Sequence, residues 1–349
     1  MSKIIRLKPS GKELTCEDSE TVLGALERQG YALPNNCRAG ACGECKCKVT
    51  EGQFDPGFIM PLALSPAEQA EGYGLMCMAK PTTEVLEIEF GTEDAQPMLF
   101  PPRENVPTVV VDKLMRTPRI MEVRLRPLGD PLRFWPGQYI TLGSRGEGIP
   151  GRCYSLASIP NDLGELVIQV TRVEDGKTSN WIHDDLKPGD TVQISGPYGT
   201  FIGDPSTDTP VLCLASGSGL APITSLASAA FLRGGFRNPA TILFSARGRE
   251  DVYEEGLFAF LKLKFRNFDF KYTLTREPNP GGLTGRIPDL LPELYPDLSG
   301  HSVYIAGSPD FVDACAEKAK ELGLPEEHLH TEGFFEQVQP ETPPQSRLR

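Results

Sequence analysis

Four cysteines constrain this chain more than any other feature. Cys37, Cys42 and Cys45 share one loop, and Cys77 stands alone after 31 intervening residues. Three thiols within Cys37-Arg-Ala-Gly-Ala-Cys42-Gly-Glu-Cys45 oblige the backbone to wrap around something. The fourth, after Gly-Leu-Met, must arrive from a separate part of the fold. Ala39, Gly40, Ala41 and Gly43 are small enough to let N–H groups approach the sulfurs closely.

The spacing C-x4-C-x2-C followed by a distant Cys is the plant-type [2Fe-2S] ligand pattern, so Cys37, Cys42, Cys45 and Cys77 are read as ligands of a one-electron centre. Zinc is one competitor, yet zinc ribbons pair two short knuckles, whereas three of these ligands share one loop. Disulfides are the other, as in secreted chains. The opening Met1-Ser-Lys-Ile-Ile-Arg has no apolar stretch of a signal peptide. Nine cysteines, four of them committed to metal, point to a reducing cytoplasm. Cys16, Cys47, Cys153, Cys213 and Cys315 read most simply as small buried apolar residues or thiols.

A length of 349 residues accommodates two or three domains, and 39% hydrophobic with 23% charged residues is the balance of a globular protein. No apolar run approaches the roughly 18 to 20 residues of a membrane span. A net charge of −12 argues against nucleic acid, whose phosphates require clustered cations. Residues 1–95 carry 9 Lys/Arg against 15 Asp/Glu, hence −6. That acidity either steers the segment toward a basic patch on a partner or simply maintains solubility.

Three patterns follow one another. Residues 1–95 combine short strands at 4–7, 13–16, 46–50 and 85–90 with a helix over 21–28 and a capping-box signature at Ser65 and Glu68. This reads as a small α+β unit of ferredoxin-like (β-grasp) type. Residues 96–105, with Pro97, Pro101 and Pro102, form a linker. Over 106–205, period-two strands at 109–111, 121–125, 139–142, 166–170 and 192–194 predict an antiparallel barrel. Over 206–336, strands at 211–215, 241–244, 270–274 and 303–306 alternate with helices, which predicts a doubly wound parallel sheet. Residues 337–349 are rich in Pro and Gln and are expected to be disordered.

Two further motifs carry nucleotide chemistry. Arg152-Cys153-Tyr154-Ser155 lies on a barrel strand, and Gly176-Lys177-Thr178-Ser179 opens a short helix. A guanidinium and a helix N-terminus both suit a pyrophosphate. Read alone, the first is equally a strand with a buried Tyr. Together they resemble the flavin-binding signature of the ferredoxin–NADP⁺ reductase superfamily. The resemblance implies FAD bound by Arg152, Cys153, Tyr154, Ser155, Val170, Gly176, Lys177, Thr178 and Ser179, with Tyr154 against the isoalloxazine and Ser155 near its N5. The loop Gly217-Ser218-Gly219-Leu-Ala-Pro222 directly follows the strand at 211–215 and resembles the superfamily's nicotinamide loop rather than G-x-G-x-x-G. It implies nucleotide contacts from Gly217, Ser218, Gly219, Pro222 and Gly307. Glu332-Gly-Phe334 resembles the superfamily's C-terminal Glu-x-Phe, which places Glu332 and Phe334 beside the flavin; otherwise Glu332 is an ordinary surface carboxylate. Where many members carry Cys-Gly-Pro, this chain has Ala306-Gly307-Ser308-Pro309, with no thiol near the hydride.

Residues 1–336 thus resemble a ferredoxin-type reductase of bacterial multicomponent oxygenases. The resemblance implies hydride transfer from NADH to FAD, with Tyr154, Ser155 and Glu332 as catalytic residues. Single electrons then pass through the cluster to a terminal oxygenase or an intermediate ferredoxin. A deoxysugar dehydrase as acceptor and a carrier with vestigial nucleotide folds are the alternatives. Arg247, Arg249 and Arg276 are the candidate cations for NADPH, but the later Lys and Tyr of NADP-preferring members are missing, which favours NADH.

Overall fold

The computed structural model describes residues 2–334 apart from positions 145 and 205. The tail expectation for 337–349 lies outside the described residues.

The first unit is a five-stranded sheet in the order Lys12–Cys16, Lys3–Lys8, Val85–Glu89, Lys46–Glu51, Tyr73–Leu75. Its central pair, Lys3–Lys8 with Val85–Glu89, is parallel, and the flanking ladders are antiparallel. The helix Val22–Arg28 starts where the Thr21 side chain accepts the Gly24 N–H, and it buries Val22, Leu23, Ala25 and Leu26. Those side chains meet Ile5, Leu7, Leu86 and Ile88, the alternate residues of the two central strands. The capping box forms as well: Ser65 and Glu68 exchange hydrogen bonds at the start of Pro66–Ala70.

The second unit is a six-stranded antiparallel sheet in the order Ile149–Ser155, Tyr139–Ser144, Thr191–Tyr198, Arg103–Thr117, Ile120–Pro127, Leu166–Thr171. A bridge from Leu156 to Ile168 brings its two ends together, which closes a small barrel. Val110, Val123, Leu125, Ile140, Leu142, Ile168 and Ile194 fill it, and the helix Lys177–Asp184 adds Trp181 and Ile182 to the same core. The strand Arg103–Thr117 begins inside the segment read as a linker.

The third unit is a six-stranded parallel sheet in the order Leu283–Thr284, Phe268–Leu274, Ala240–Ala246, Val211–Ser216, Ser302–Gly307, Leu329–Gly333. Successive residues of Val211–Ser216 serve opposite faces. Leu212 and Leu214 pack under helices Ile287–Leu294 and Pro309–Glu321, while Cys213 and Ala215 pack under Leu220–Leu232 and Glu255–Lys264. The strand order reverses between Val211–Ser216 and Ser302–Gly307, the place where such sheets bind ligands at the strand C-termini. Among the described residues, no helix is long and apolar enough to cross a membrane.

Candidate functional site

The cluster loop turns on three residues in the left-handed region: Arg38 at φ 53°, Gly40 at 70° and Gly43 at 80°. A Cβ on Gly40 would sit 2.2 Å from the Phe58 carbonyl oxygen, and one on Gly43 would sit 2.9 Å from that of Ala63. Only a hydrogen fits at these two turns. The N–H groups of Ala41 and Cys42 donate to Cys37 Sγ at 3.3 Å, and the Cys77 N–H donates to Cys45 Sγ at 3.4 Å. The Cys42 thiol and then the loop N–H groups hold the Cys37 thiol below its ordinary value, against the opposing effect of burial. The thiols hydrogen-bond in two pairs, Cys37 with Cys42 and Cys45 with Cys77. Among the described residues, no three His, Cys, Asp or Glu side chains gather around one point. Four thiols divided two and two, with N–H groups aimed at the sulfurs, fit a pair of bridged irons.

In the barrel, Ser155 lies across from Tyr139, and Tyr154 from Ile140. The Thr178 hydroxyl donates to the Pro150 carbonyl at 2.6 Å, which ties the start of helix Lys177–Asp184 to the strand carrying Arg152. Gly176 caps that helix without a side-chain acceptor, so the first-turn N–H groups can receive an anion. The Ser179 hydroxyl accepts the Val173 N–H at 3.2 Å and donates to the Gly176 carbonyl, which fixes the turn. Arg152 is half-buried, and its guanidinium donates to the carbonyl of Gly151. Lys177 is exposed in the same first turn, and Cys153 is half-buried between Arg152 and Tyr154. Val170 stands apart from this group: its side chain fills the barrel core and its carbonyl oxygen is engaged by His183 Nε2 at 2.9 Å.

Glu332 reaches the barrel from the last strand of the parallel sheet. The Ser155 hydroxyl donates to Glu332 Oε2 at 3.1 Å, and both residues are buried. Burial pushes the Glu332 carboxyl up to about 8, and the Ser155 bond offsets part of that rise. Glu332 is therefore not an ordinary surface carboxylate; it holds a proton at neutral pH. The Phe334 N–H donates to the Gly307 carbonyl at 2.7 Å, which keeps Phe334 beside the end of the neighbouring strand.

The glycine loop forms one 3-10 turn, Gly217–Gly219, that opens helix Leu220–Leu232 at the reversal point of the sheet. A Cβ on Gly219 would lie 2.2 Å from the Ala306 carbonyl oxygen, and one on Gly307 would lie 2.4 Å from Ser216 Oγ. Both strand ends therefore press together at the sheet's reversal point, with no room for a side chain between them. Pro222 falls in the first helical turn, where its missing N–H has no partner to lose. The Thr171 hydroxyl donates to Ser218 Oγ at 2.8 Å, and the Tyr253 hydroxyl lies 3.0 Å from the Gly217 carbonyl oxygen. Arg247 is bonded twice to Asp251, at 2.8 and 3.1 Å, and Arg249 twice to Glu255, at 2.9 and 3.0 Å.

Sequence reasoning named neither Thr171 nor Tyr253, and it missed Asn35, Asn36 and Tyr139. The Asn36 amide donates to the Gly333 carbonyl, and the Tyr139 hydroxyl donates to Asn35 Oδ1 at 2.8 Å. These bonds set the cluster loop beside Ser155 and Glu332. A cavity of about 820 Å³ between the loop at 131–136 and the far end of helix Leu220–Leu232 contains none of the site residues.

Comparison with known proteins gives the same three parts. Residues 5–82 match a 2Fe-2S iron-sulfur cluster binding domain, 108–202 an oxidoreductase FAD-binding domain, and 213–317 an oxidoreductase NAD-binding domain. The chain is 31% identical over 341 residues to the phenol hydroxylase P5 protein of Acinetobacter pittii, covering 96% of this chain and 95% of that one. It is 34% identical over 330 residues to the aromatic O-demethylase reductase subunit of an Amycolatopsis species, covering 93% and 96%. The crystal structure of the Amycolatopsis cytochrome P450 reductase GcoB superimposes with a TM-score of 0.86 at 31% identity, over 96% of this chain and all of that one.

Proposed function

This chain belongs to the family of iron–sulfur flavoprotein reductases that serve oxygenase systems, and on that premise we propose that it oxidises NADH and passes single electrons to a terminal oxygenase. The observation that carries the reading is the Ser155–Glu332 bond between barrel and parallel sheet, at the place where Asn36 holds the cluster loop to Gly333. All three cofactor sites thereby meet at one seam. Bound flavin supplies the conversion between a two-electron hydride and one-electron exits.

The chain's own residues serve that chemistry in distinct ways. Arg152 and the N-terminus of Lys177–Asp184 hold the flavin pyrophosphate, with a fork of donors on one side and orphan N–H groups on the other. Tyr154 packs against the isoalloxazine. Ser155 and Glu332 keep a proton at the seam, on a carboxyl that burial keeps neutral. Gly217, Ser218 and Gly219 present backbone to the nicotinamide nucleotide, and Gly307 leaves room beside them. Cys37, Cys42, Cys45 and Cys77 bind the cluster.

NADH fits better than NADPH. A 2′-phosphate needs cations that are not already neutralised, whereas Arg247 is forked onto Asp251 and Arg249 is paired through Nη2 with Glu255, which leaves the exposed Arg276 of the three candidates. The test is anaerobic stopped-flow mixing with NADH and with NADPH, followed by paramagnetic resonance of the reduced protein. NADH should bleach the flavin faster by at least about tenfold, and a rhombic ferredoxin-type signal should follow. Zinc on elemental analysis, or a preference for NADPH, would refute the corresponding half of the reading. Coupling to an aromatic-oxidising terminal enzyme tests the acceptor.

A further inference from the structure

Arg38 follows the first ligand directly, in a backbone conformation that non-glycine residues seldom take, at φ 53°. Its side chain turns inward. Nη1 donates to Glu27 Oε1 at 2.6 Å, on a carboxylate only 3% exposed within the ferredoxin unit. The same guanidinium lies over the ring of Tyr198, with Cζ 4.1 Å from the centroid. Tyr198 is the last residue of the barrel strand Thr191–Tyr198, and its ring packs 5.8 Å from that of Tyr139. Tyr139 in turn donates to Asn35 and lies 3.3 Å from the Asn36 carbonyl oxygen. The residues on both sides of Cys37 therefore each touch another unit. Asn35 and Arg38 meet the barrel, and Asn36 meets the parallel sheet.

We propose that Arg38 and Tyr198 form an interdomain latch that holds the Cys37 side of the cluster loop against the flavin barrel. This rests on the functional reading above. Cys37 is then the ligand nearest the electron's point of arrival, and Arg38 and Tyr198 are positioning residues rather than catalytic ones. A partly desolvated guanidinium over an aromatic face is an attractive contact that neither partner makes with water. The competing account makes Arg38 merely the counter-ion of Glu27, with Tyr198 an incidental neighbour. Changing Tyr198 alone separates the two, because it leaves the Arg38–Glu27 pair and the Tyr139–Asn35 bond in place.

The experiment compares Tyr198→Leu and Tyr198→Phe with the wild-type holoenzyme in anaerobic stopped flow. Flavin bleaching by NADH and appearance of the reduced cluster are followed separately. The latch requires flavin bleaching to stay within about twofold in all of them. Cluster reduction should slow about tenfold in Tyr198→Leu, a size set by one such contact. Tyr198→Phe, which keeps an aromatic face, should restore it. An unchanged paramagnetic spectrum of the chemically reduced variants establishes that the cluster itself is intact. Should Tyr198→Leu fail to fold, Tyr198→Met reads the same contact from the barrel side, since it keeps apolar bulk but loses the aromatic face. Wild-type cluster reduction in these variants overturns the latch alone. A wild-type protein whose flavin NADH does not bleach overturns the functional reading and the latch with it.

Discussion

At the scale of single residues, the most consequential group is Glu332. Its carboxyl is pushed up to about 8 by burial, against an ordinary value of 4.5. Below 4.5 the folded and unfolded chains both carry the proton. Between 4.5 and 8 the unfolded chain releases it while the folded chain keeps it, so folding weakens as pH rises through that window. Above 8 the loss is complete, on the order of a few kcal/mol. Glu332→Gln keeps the shape and removes the titration. Its melting temperature, scanned from pH 5 to 9, should lack the decline seen in the wild-type protein; parallel curves would refute the assignment. The motif alone made Glu332 legible as a flavin-side residue. Its proton was not legible, because Ser155 lies 177 positions away and the burial of both depends on two units meeting. Arg247 shows the converse. Its availability to a phosphate looked open from composition, but Asp251, four residues on, occupies it.

At the scale of elements, the cluster loop is the most brittle. Gly40 combines a positive φ with a position where a Cβ would meet the Phe58 carbonyl oxygen at 2.2 Å. Gly40→Ala should therefore open the loop. Iron and sulfide per chain should fall several-fold while flavin content and NADH-driven flavin bleaching stay the same; full cluster content would show that the loop tolerates the methyl. This loop was readable because its chemistry is local. So was the helix Pro66–Ala70, whose Ser65–Glu68 box is spelled out within four residues. Helix Ile287–Leu294 was not readable, since Pro288 and Pro292 look like breakers in sequence. Pro288 sits in the first turn, where the missing N–H costs nothing, and the buried Ile287 and Leu291 hold the rest against the sheet. The early start of strand Arg103–Thr117 was hidden likewise, because Pro107 pairs with Gln193 within it.

At the scale of the whole molecule, two kinds of electrostatic contact need separating. Inside the seam, the half-buried Arg38 meets the buried Glu27 and the ring of Tyr198, where added salt screens less than at the open surface. On the outside, residues 1–95 carry a charge of −6 on a unit whose cluster must face a partner. Attraction of that kind acts through water and collapses when the screening length falls below about 10 Å. Raising ionic strength from about 50 to 300 mM should therefore slow NADH-driven electron delivery to a terminal oxygenase several-fold. NADH-driven bleaching of the flavin and internal reduction of the cluster should not change over the same range. If delivery is indifferent to salt, the acidity serves solubility and the docking is apolar. If internal cluster reduction also slows, the seam is looser than its buried contacts imply. Sequence could announce the charge but not this division, because the contacts that close the seam join positions as far apart as Asn36 and Gly333, 297 residues along the chain.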